Sequence, residues 1–133
     1  MNGVFLDTVG LLAIWDRNDQ WHSPAVAAWA DIVAAALPLF TTTFVIAECA
    51  NAAARRPYRP TVERLRLKLK ADGRLIEPTP DEWENACGTY AAGRIGGPGL
   101  VDELSFAVMR RLGLRRAFTN DRHFADAGFE TLF

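Results

Sequence analysis

The sequence predicts an α/β fold, with one domain over residues 1–133 and a mostly parallel central sheet flanked by helices. Short apolar runs of strand length recur along the chain, and helical patterns with capping residues lie between them. This alternation of strand and helix is typical of a domain built on a parallel sheet. A chain of 133 residues fits one such domain and can bury a substantial core.

The first half of the chain is predicted to contain two strands and three helices. Ser23 and Pro24 have the character of an N-cap and a first helical residue, and Pro38 ends the helix that they begin. Thr42 or Thr43 begins the next helix. In order, the expected elements are a strand over 3–7, helices over 8–15 and 24–36, a strand over 39–41 and a helix ending near residue 54.

Residues 64–70 allow two interpretations. Their sequence, RLRLKLK, alternates as a strand does, and the turn that follows could then lead into the second strand of a hairpin. However, Val62, Leu65 and Leu69 fall on one face of a helix, and Leu and Lys are strong helix formers. We therefore favour a helix over residues 61–71.

A capping threonine and several glycines mark the elements of the second half. Thr79 caps a helix that has acidic residues in its first turn, and Gly113 and Gly128 end two later helices. The loop at 93–99 lacks the preceding strand and the following Lys-Ser/Thr pair that a phosphate-binding P-loop requires. The expected elements are a strand at 75–76, helices over 80–92, 102–112 and 122–127, a strand over 114–119 and an edge strand over 129–133.

The composition is that of a globular protein without a membrane span. Hydrophobic residues make up 50% of the chain and charged residues 23%, and no apolar run is long enough to cross a bilayer. No basic leader opens the sequence, so the cytoplasm is the expected compartment. Cys49 and Cys87 lack the spacing of a zinc site, and we expect both to be buried and free. The net charge of −1 does not by itself indicate a nucleic-acid partner.

Four carboxylates are distinguished by their position. Asp7 and Asp121 each follow an apolar strand, and the carboxyl ends of parallel strands open onto the crevice where α/β proteins bind ligands. Glu48 and Asp102 lie within largely apolar helical stretches. Each aspartate could simply cap a helix. Glu48 has apolar neighbours on nearly every side, which predicts a buried group that needs a partner or a metal.

A bound cation would explain how these acids could converge. Two carboxylates about 5 Å apart repel by roughly 3 kcal/mol at an effective dielectric constant of about 20, so several such pairs would strongly destabilise a small domain. Oxygen ligands without cysteine or histidine partners favour Mg²⁺ or Mn²⁺ over zinc. Such a site can activate water and stabilise charge on a phosphodiester. His123, close to Asp121 in sequence, is not needed there as a general base.

A more specific resemblance rests on four phrases of the sequence. They are VFLDT at residues 4–8, TFVIAE at 43–48, LVDELSF at 100–106 and FTNDRHF at 118–124. In their order and spacing, and in the length of the chain, the sequence resembles the PIN-domain family, and in particular the VapC-type toxins of toxin–antitoxin pairs. The resemblance covers essentially the whole chain and implies a PIN-like fold.

The resemblance also implies an Mg²⁺- or Mn²⁺-dependent ribonuclease with its acids in one pocket. The positions that match the catalytic and metal-binding acids are Asp7, Glu48, Asp102 and Asp121. The positions that match the supporting polar residues are Thr8, Ser105, Thr119 and Asn120.

The resulting hypothesis is a toxin that hydrolyses RNA phosphodiester bonds. Asp7, Asp102 and Asp121 would hold the metal directly or through water, and Glu48 would position the attacking water or accept its proton. The resemblance further implies a homodimer and a cognate antitoxin protein, with no membrane partner. The alternative is a PIN-like scaffold that binds RNA or docks a partner without nuclease activity.

The middle of the chain says less about function. Arg55 and Arg56 are candidates for contacting the RNA backbone. Residues 55–95 are not diagnostic of the family, so the sequence does not identify the RNA or the cut site. Glu103 directly follows Asp102, where similar proteins carry a small or neutral residue. It could face away from the pocket or add charge to it.

Overall fold

A computed structural model describes residues 2–133, which contain five strands and seven helices. The strands are β1 (Val4–Leu6), β2 (Leu39–Thr42), β3 (Leu75–Ile76), β4 (Arg116–Phe118) and β5 (Glu130–Thr131). The helices are α1 (Thr8–Trp15), α2 (His22–Ala34), α3 (Thr43–Ala52), α4 (Arg59–Ala71), α5 (Pro80–Ala91), α6 (Leu100–Leu112) and α7 (Arg122–Asp126). No helix in this part of the chain is both long and apolar enough to span a bilayer.

The sheet has the order β3-β2-β1-β4-β5, and every neighbouring pair is parallel. The predicted α/β fold is thus confirmed. From β1 the chain builds outward on one side to β3 and then returns to β4 on the other side of β1. The order therefore reverses between β1 and β4, and crevices at such reversals bind ligands beyond the carboxyl ends of the strands. Asp7 and Asp121 follow these two strands.

The core lies on both faces of the central strand β1. Val4, Phe5 and Leu6 have no exposed surface, as expected for a parallel strand covered by helices on both sides. Phe118 of β4 packs with its ring centroid 5.3 Å from that of Trp29 on α2. This apolar packing fixes the ends of β1 and β4, from which the acids emerge.

The structure settles the ambiguity at residues 64–70 in favour of the helix, α4. Val62 and Leu69 are buried, whereas Leu67 is 51% exposed. The leucines therefore do not share one face, as they would in a strand, and the strand-and-hairpin alternative is wrong. β3 is instead a parallel neighbour of β2.

Three predicted helix starts are two residues too late, including that of α4, which begins at Arg59 and not at residue 61. α2 begins at His22, so Ser23 lies inside its first turn and is not the N-cap. The turn before it is held by Asp19, whose carboxylate accepts a hydrogen bond from the Trp21 N–H at 2.8 Å. α6 begins at Leu100, so the predicted start at residue 102 falls within the first turn.

Other boundaries also differ from the predictions by one or two residues, and α2 ends at Ala34 and not at residue 36. α3 ends at Ala52, not near residue 54, and the edge strand predicted over 129–133 is limited to Glu130–Thr131. Thr42 belongs to β2 and also caps α3, because its hydroxyl accepts a hydrogen bond from the Val45 N–H at 3.1 Å. Both cysteines are free; Cys49 is buried as predicted, but Cys87 is only half-buried.

Candidate active site

An open cavity of about 410 Å³ lies at the carboxyl edge of the sheet. All four acids singled out in the sequence contribute to its lining. The lining residues are Asp7, Thr8, Val9, Glu48, Asn51, Asp102 and Asp121. Side chains from β1–α1, α3, α6 and the end of β4 therefore share one opening.

Asp7 is the buried acid at the base of the cavity, with 2% of its surface exposed. It is the N-cap of α1, and its Oδ2 accepts a hydrogen bond from the Val9 N–H at 3.4 Å. The same oxygen accepts a hydrogen bond from the Thr119 hydroxyl at 2.8 Å, and Thr119 Oγ1 in turn accepts one from the Asp121 N–H at 3.1 Å. Thr119 therefore connects the ends of β1 and β4 across the point where the strand order reverses.

Asp102 and Asp121 are half-buried and also serve at helix N-termini. Asp121 caps α7 by accepting a hydrogen bond from the His123 N–H at 2.9 Å. Asp102 lies in the first turn of α6, and its Oδ2 accepts a hydrogen bond from the Gly99 N–H at 3.0 Å. Capping and cavity lining are thus not alternatives in this protein, because the same carboxylates do both.

Glu48 corrects one expectation from the sequence. It is exposed, not buried, because the apolar neighbours that flank it in sequence point away from the cavity. Of these, Ile46 and Cys49 are in the core. The Glu48 carboxylate accepts a hydrogen bond from the Thr8 hydroxyl at 2.6 Å, which holds it beside the start of α1.

Burial raises the pKa of Asp7 from 3.8 to about 7. The hydrogen bond from Thr119 lowers this pKa in part, and the negative charge of Asp102 raises it further. The pKa of Asp102 is also raised, mainly by burial and in part by the charge of Asp121, while the Gly99 N–H opposes the shift. Protons and cations therefore compete for the same carboxylates in this cavity.

Of the four predicted supporting residues, only Thr8 lines the cavity. Ser105 is fully buried, and its hydroxyl donates a hydrogen bond to the Val101 carbonyl at 2.8 Å within α6, not to one of the acids. Asn120 is half-buried in the loop after β4. Thr8 and Thr119 are the two predicted polar residues that contact the acids.

Arg55, Arg56 and Glu103 also lie outside the lining of the acidic cavity. Arg55 and Arg56 are exposed in the turn between α3 and α4. Glu103 is half-buried on α6 and does not contribute to the cavity surface among residues 2–133.

Two further polar residues lie near the acids but were not assigned to the site from the sequence. Asn51 lies three residues after Glu48 on α3, a spacing that places both on the same helix face. His123 Nδ1 lies 3.1 Å from Asp121 Oδ1. The helical spacing could have indicated Asn51, but nothing in the sequence shows that the imidazole folds back onto Asp121.

The donor set suits a small divalent cation. Ligand atoms of Asp102, Asp121 and His123 all lie within 4.8 Å of one another, and Asp7 and Glu48 line the same opening. Carboxylate oxygens are the ligands that Mg²⁺ and Mn²⁺ prefer. Besides burial, the negative charge of Asp121 raises the pKa of Asp102, and a bound cation would offset this repulsion.

We predict that Asp7 makes the stability of the metal-free protein depend on pH. Between pH 4 and 7 the unfolded chain loses the Asp7 proton while the folded chain retains it, so stability falls as the pH rises. The shift corresponds to roughly 4 kcal/mol of unfolding free energy, lost almost completely by about pH 8. Urea unfolding in chelator should show the advantage of Asp7→Asn over the wild type growing from pH 4 to 8.

Asp31→Asn provides the control, because Asp31 is exposed on α2, far in sequence from the lining residues. Its difference from the wild type should not grow over this range. If the advantage of Asp7→Asn were the same at every pH, the carboxyl group of Asp7 would not retain its proton on folding.

Comparisons with known proteins agree with the fold. Residues 4–130 match the family model of the PIN domain. The 23S rRNA-specific endonuclease VapC20 of Mycobacterium tuberculosis is 29% identical over 127 residues, which are 95% of each chain. A crystal structure of that VapC20, described as a sarcin-ricin loop cleaving toxin, aligns with a TM-score of 0.75 at 26% identity over 96% of each chain. FitAcB from Neisseria gonorrhoeae shares the fold, with a TM-score of 0.59 at 17% identity over 98% of this chain and 96% of its own.

Proposed function

Because this chain belongs to the PIN-domain family, we propose that it is a divalent-metal-dependent endoribonuclease and the toxin of a VapBC-type toxin–antitoxin pair. The observation that carries the proposal is the convergence of four carboxylates on one open cavity. The relative from Mycobacterium tuberculosis, a 23S rRNA-specific endonuclease, is similar over almost the whole of both chains. Ribosomal RNA is therefore the first substrate to test.

The proposed reaction is hydrolysis of a phosphodiester bond. A divalent cation held by Asp7, Asp102 and Asp121 would acidify water and neutralise the charge that develops on the phosphate. Thr119 holds the carboxylate of Asp7 in one orientation, through a hydrogen bond of 2.8 Å. This preorganisation means that little energy is spent on arranging the ligands during the reaction.

Glu48 is the proposed group for handling the attacking water. The hydrogen bond from Thr8, at 2.6 Å, directs its carboxylate along the cavity wall. Because Glu48 is exposed, its carboxylate can reach water without opening the fold. It would orient the water or accept its proton at a carboxylate oxygen.

The partners follow from the same proposal. A VapC-type toxin is expected in the cytoplasm, as a homodimer restrained by a cognate antitoxin. Arg55 and Arg56 are exposed in the turn that follows α3, one helical turn beyond Asn51 of the cavity. They remain candidates for contacts with the RNA backbone.

We predict that cleavage requires an added divalent cation. The purified chain should cut 23S rRNA at a defined position in Mg²⁺ or Mn²⁺ and lose that activity in EDTA, because bare carboxylates repel both each other and phosphate. Returning excess Mn²⁺ should restore the same cut. Primer extension across the rRNA would locate the cut under each condition.

The outcomes separate the proposal from its alternative. Cleavage that persists unchanged in EDTA would refute the metal-dependent mechanism. RNA that is bound but left intact in both Mg²⁺ and Mn²⁺ would favour the RNA-binding scaffold.

A further inference from the structure

We propose that a groove beside the acidic cavity, formed by the loop at 93–98 and the start of α7, binds the RNA backbone through Arg94 and Arg122. This inference rests on the proposed ribonuclease function and specifies how the same site takes its substrate. It assigns a substrate-binding role to two residues that the sequence did not single out.

The groove is the first observation. Its volume is about 470 Å³, and its walls include Arg94, Gly96, Arg122 and His123. It is open to solvent, and both arginines are exposed. Neither guanidinium forms an ion pair within residues 2–133, so both are available for a phosphate.

The groove is joined to the acidic cavity by one side chain. His123 Nδ1 lies 3.1 Å from Asp121 Oδ1, and His123 Nε2 lies 2.9 Å from the Gly96 carbonyl oxygen. The imidazole therefore connects an acid of the cavity to the loop that forms the wall of the groove. A strand of RNA that leaves the cavity past Asp121 would next meet the two arginines.

This contact and a tight turn together position the loop. Ile95, at its tip, is fully exposed, with a relative exposure of 107%, so the tip is not anchored by apolar packing. Gly96 has a φ of 81°, and the Gly97 N–H donates to the Arg94 carbonyl at 2.9 Å, which closes a tight turn. The turn and the histidine together hold Arg94 beside the cavity.

Electrostatics explains why such a groove is needed. The cavity itself carries carboxylates, and the net charge of the chain is −1, so no general attraction draws RNA to the site. Positively charged side chains beside the metal-binding acids, here Arg94 and Arg122, can supply this attraction. Contacts with phosphate provide most of the sequence-independent affinity for nucleic acids. Asp126 also lines the groove and opposes the effect, leaving two positive charges against one negative charge.

The test measures binding apart from cleavage. The Kd for RNA is measured by fluorescence anisotropy with a fluorescein-labelled 23S rRNA fragment that contains the sarcin–ricin loop. The parent protein carries Asp7→Asn, and the test protein carries Arg94→Ala and Arg122→Ala in addition. We expect the Kd to rise roughly tenfold in about 0.1 M salt, and the slope of log Kd against log salt to decrease by about 1.4 for two lost phosphate contacts.

Arg17→Ala/Arg115→Ala is the matched control. Both residues are exposed, and the change in net charge is the same. Arg115 precedes β4, at the opposite end of that strand from Asp121, and Arg17 follows α1 at its far end from Asp7. This pair should change the Kd by less than about twofold.

Each outcome bears on the inference. Equal weakening by the two pairs, or no weakening by Arg94→Ala/Arg122→Ala, would overturn it. In the first case net charge alone would matter, and in the second the groove would have no role. If the wild-type chain also cleaved rRNA in Mn²⁺, the proposed function would stand without the groove. If the Asp7→Asn parent did not bind the RNA and the wild-type chain did not cleave it in Mn²⁺, the proposed function itself would fall, and the groove with it.

Discussion

Asp7→Asn is expected to lower RNA cleavage by at least about a thousandfold while leaving the fold intact. The substitution removes the charge of the buried acid at the base of the cavity, on which a divalent cation would depend. The amide oxygen of asparagine can still accept the hydrogen bond that Thr119 donates to Asp7 in the wild type. The loss should therefore come from chemistry and not from unfolding.

The measurement is the initial rate of 23S rRNA cleavage in Mn²⁺, read together with urea unfolding of the same samples. Asp31→Asn removes an exposed acid from α2 and should retain full activity. Because the pKa of Asp7 is about 7, the Asn variant should also be more stable than the metal-free wild type above neutral pH. Cleavage by Asp7→Asn at the wild-type rate would disprove the assignment of the site.

Gly10→Ala is expected to prevent stable folding. α1 packs so closely on β4 that a Cβ at Gly10 would lie 2.1 Å from the carbonyl oxygen of Phe118 and 2.6 Å from its ring. The carbonyl belongs to a sheet strand and cannot move without breaking the sheet, so the loss of stability should exceed about 3 kcal/mol. Helix propensity alone would make the alanine variant more stable by about 1 kcal/mol. A loss of stability would therefore indicate the steric clash with β4.

Gly88→Ala is the matched control for this experiment. Gly88 is in the middle of α5, and an added Cβ would meet nothing within 4 Å. This variant should be more stable than the wild type by about 0.5–1 kcal/mol. Urea unfolding would compare the two, and a Gly10→Ala protein as stable as the wild type would show that α1 can move away from β4. Such a movement would also displace Asp7 and Thr8 at the start of α1.

The placement of Asp7 and Asp121 could be predicted from the sequence because one physical rule governs both. An apolar run such as Val4–Leu6 forms a buried strand, and the residue after it emerges at the carboxyl edge of the sheet. In a parallel sheet all such residues emerge at the same edge, so two acids that are far apart in sequence are brought close together. The α4 helix was also predictable, because the positions of Val62 and Leu69 fit a helix face better than a strand face.

The environment of each acid was less predictable. Apolar neighbours in sequence suggested that Glu48 is buried, but neighbours along a helix point in several directions and do not surround one side chain. Ser105 was expected to support the acids, yet a serine within a helix can satisfy its hydroxyl on the preceding turn, here at Val101. The contact between His123 and Gly96 joins residues 27 apart in sequence, and no local pattern encodes such a pairing.

Three acids that line the cavity also stabilise helix N-termini. Asp7 and Asp121 cap helices, and Asp102 accepts a hydrogen bond from the Gly99 N–H. Replacing these carboxylates with apolar residues would therefore also destabilise the N-termini of three helices. Asparagine caps a helix about as well as aspartate. Asparagine in place of Asp7 and Asp121 is therefore expected to abolish metal-dependent cleavage while preserving the fold. Amide variants at these positions are therefore expected to give an inactive protein whose fold and surface are otherwise unchanged.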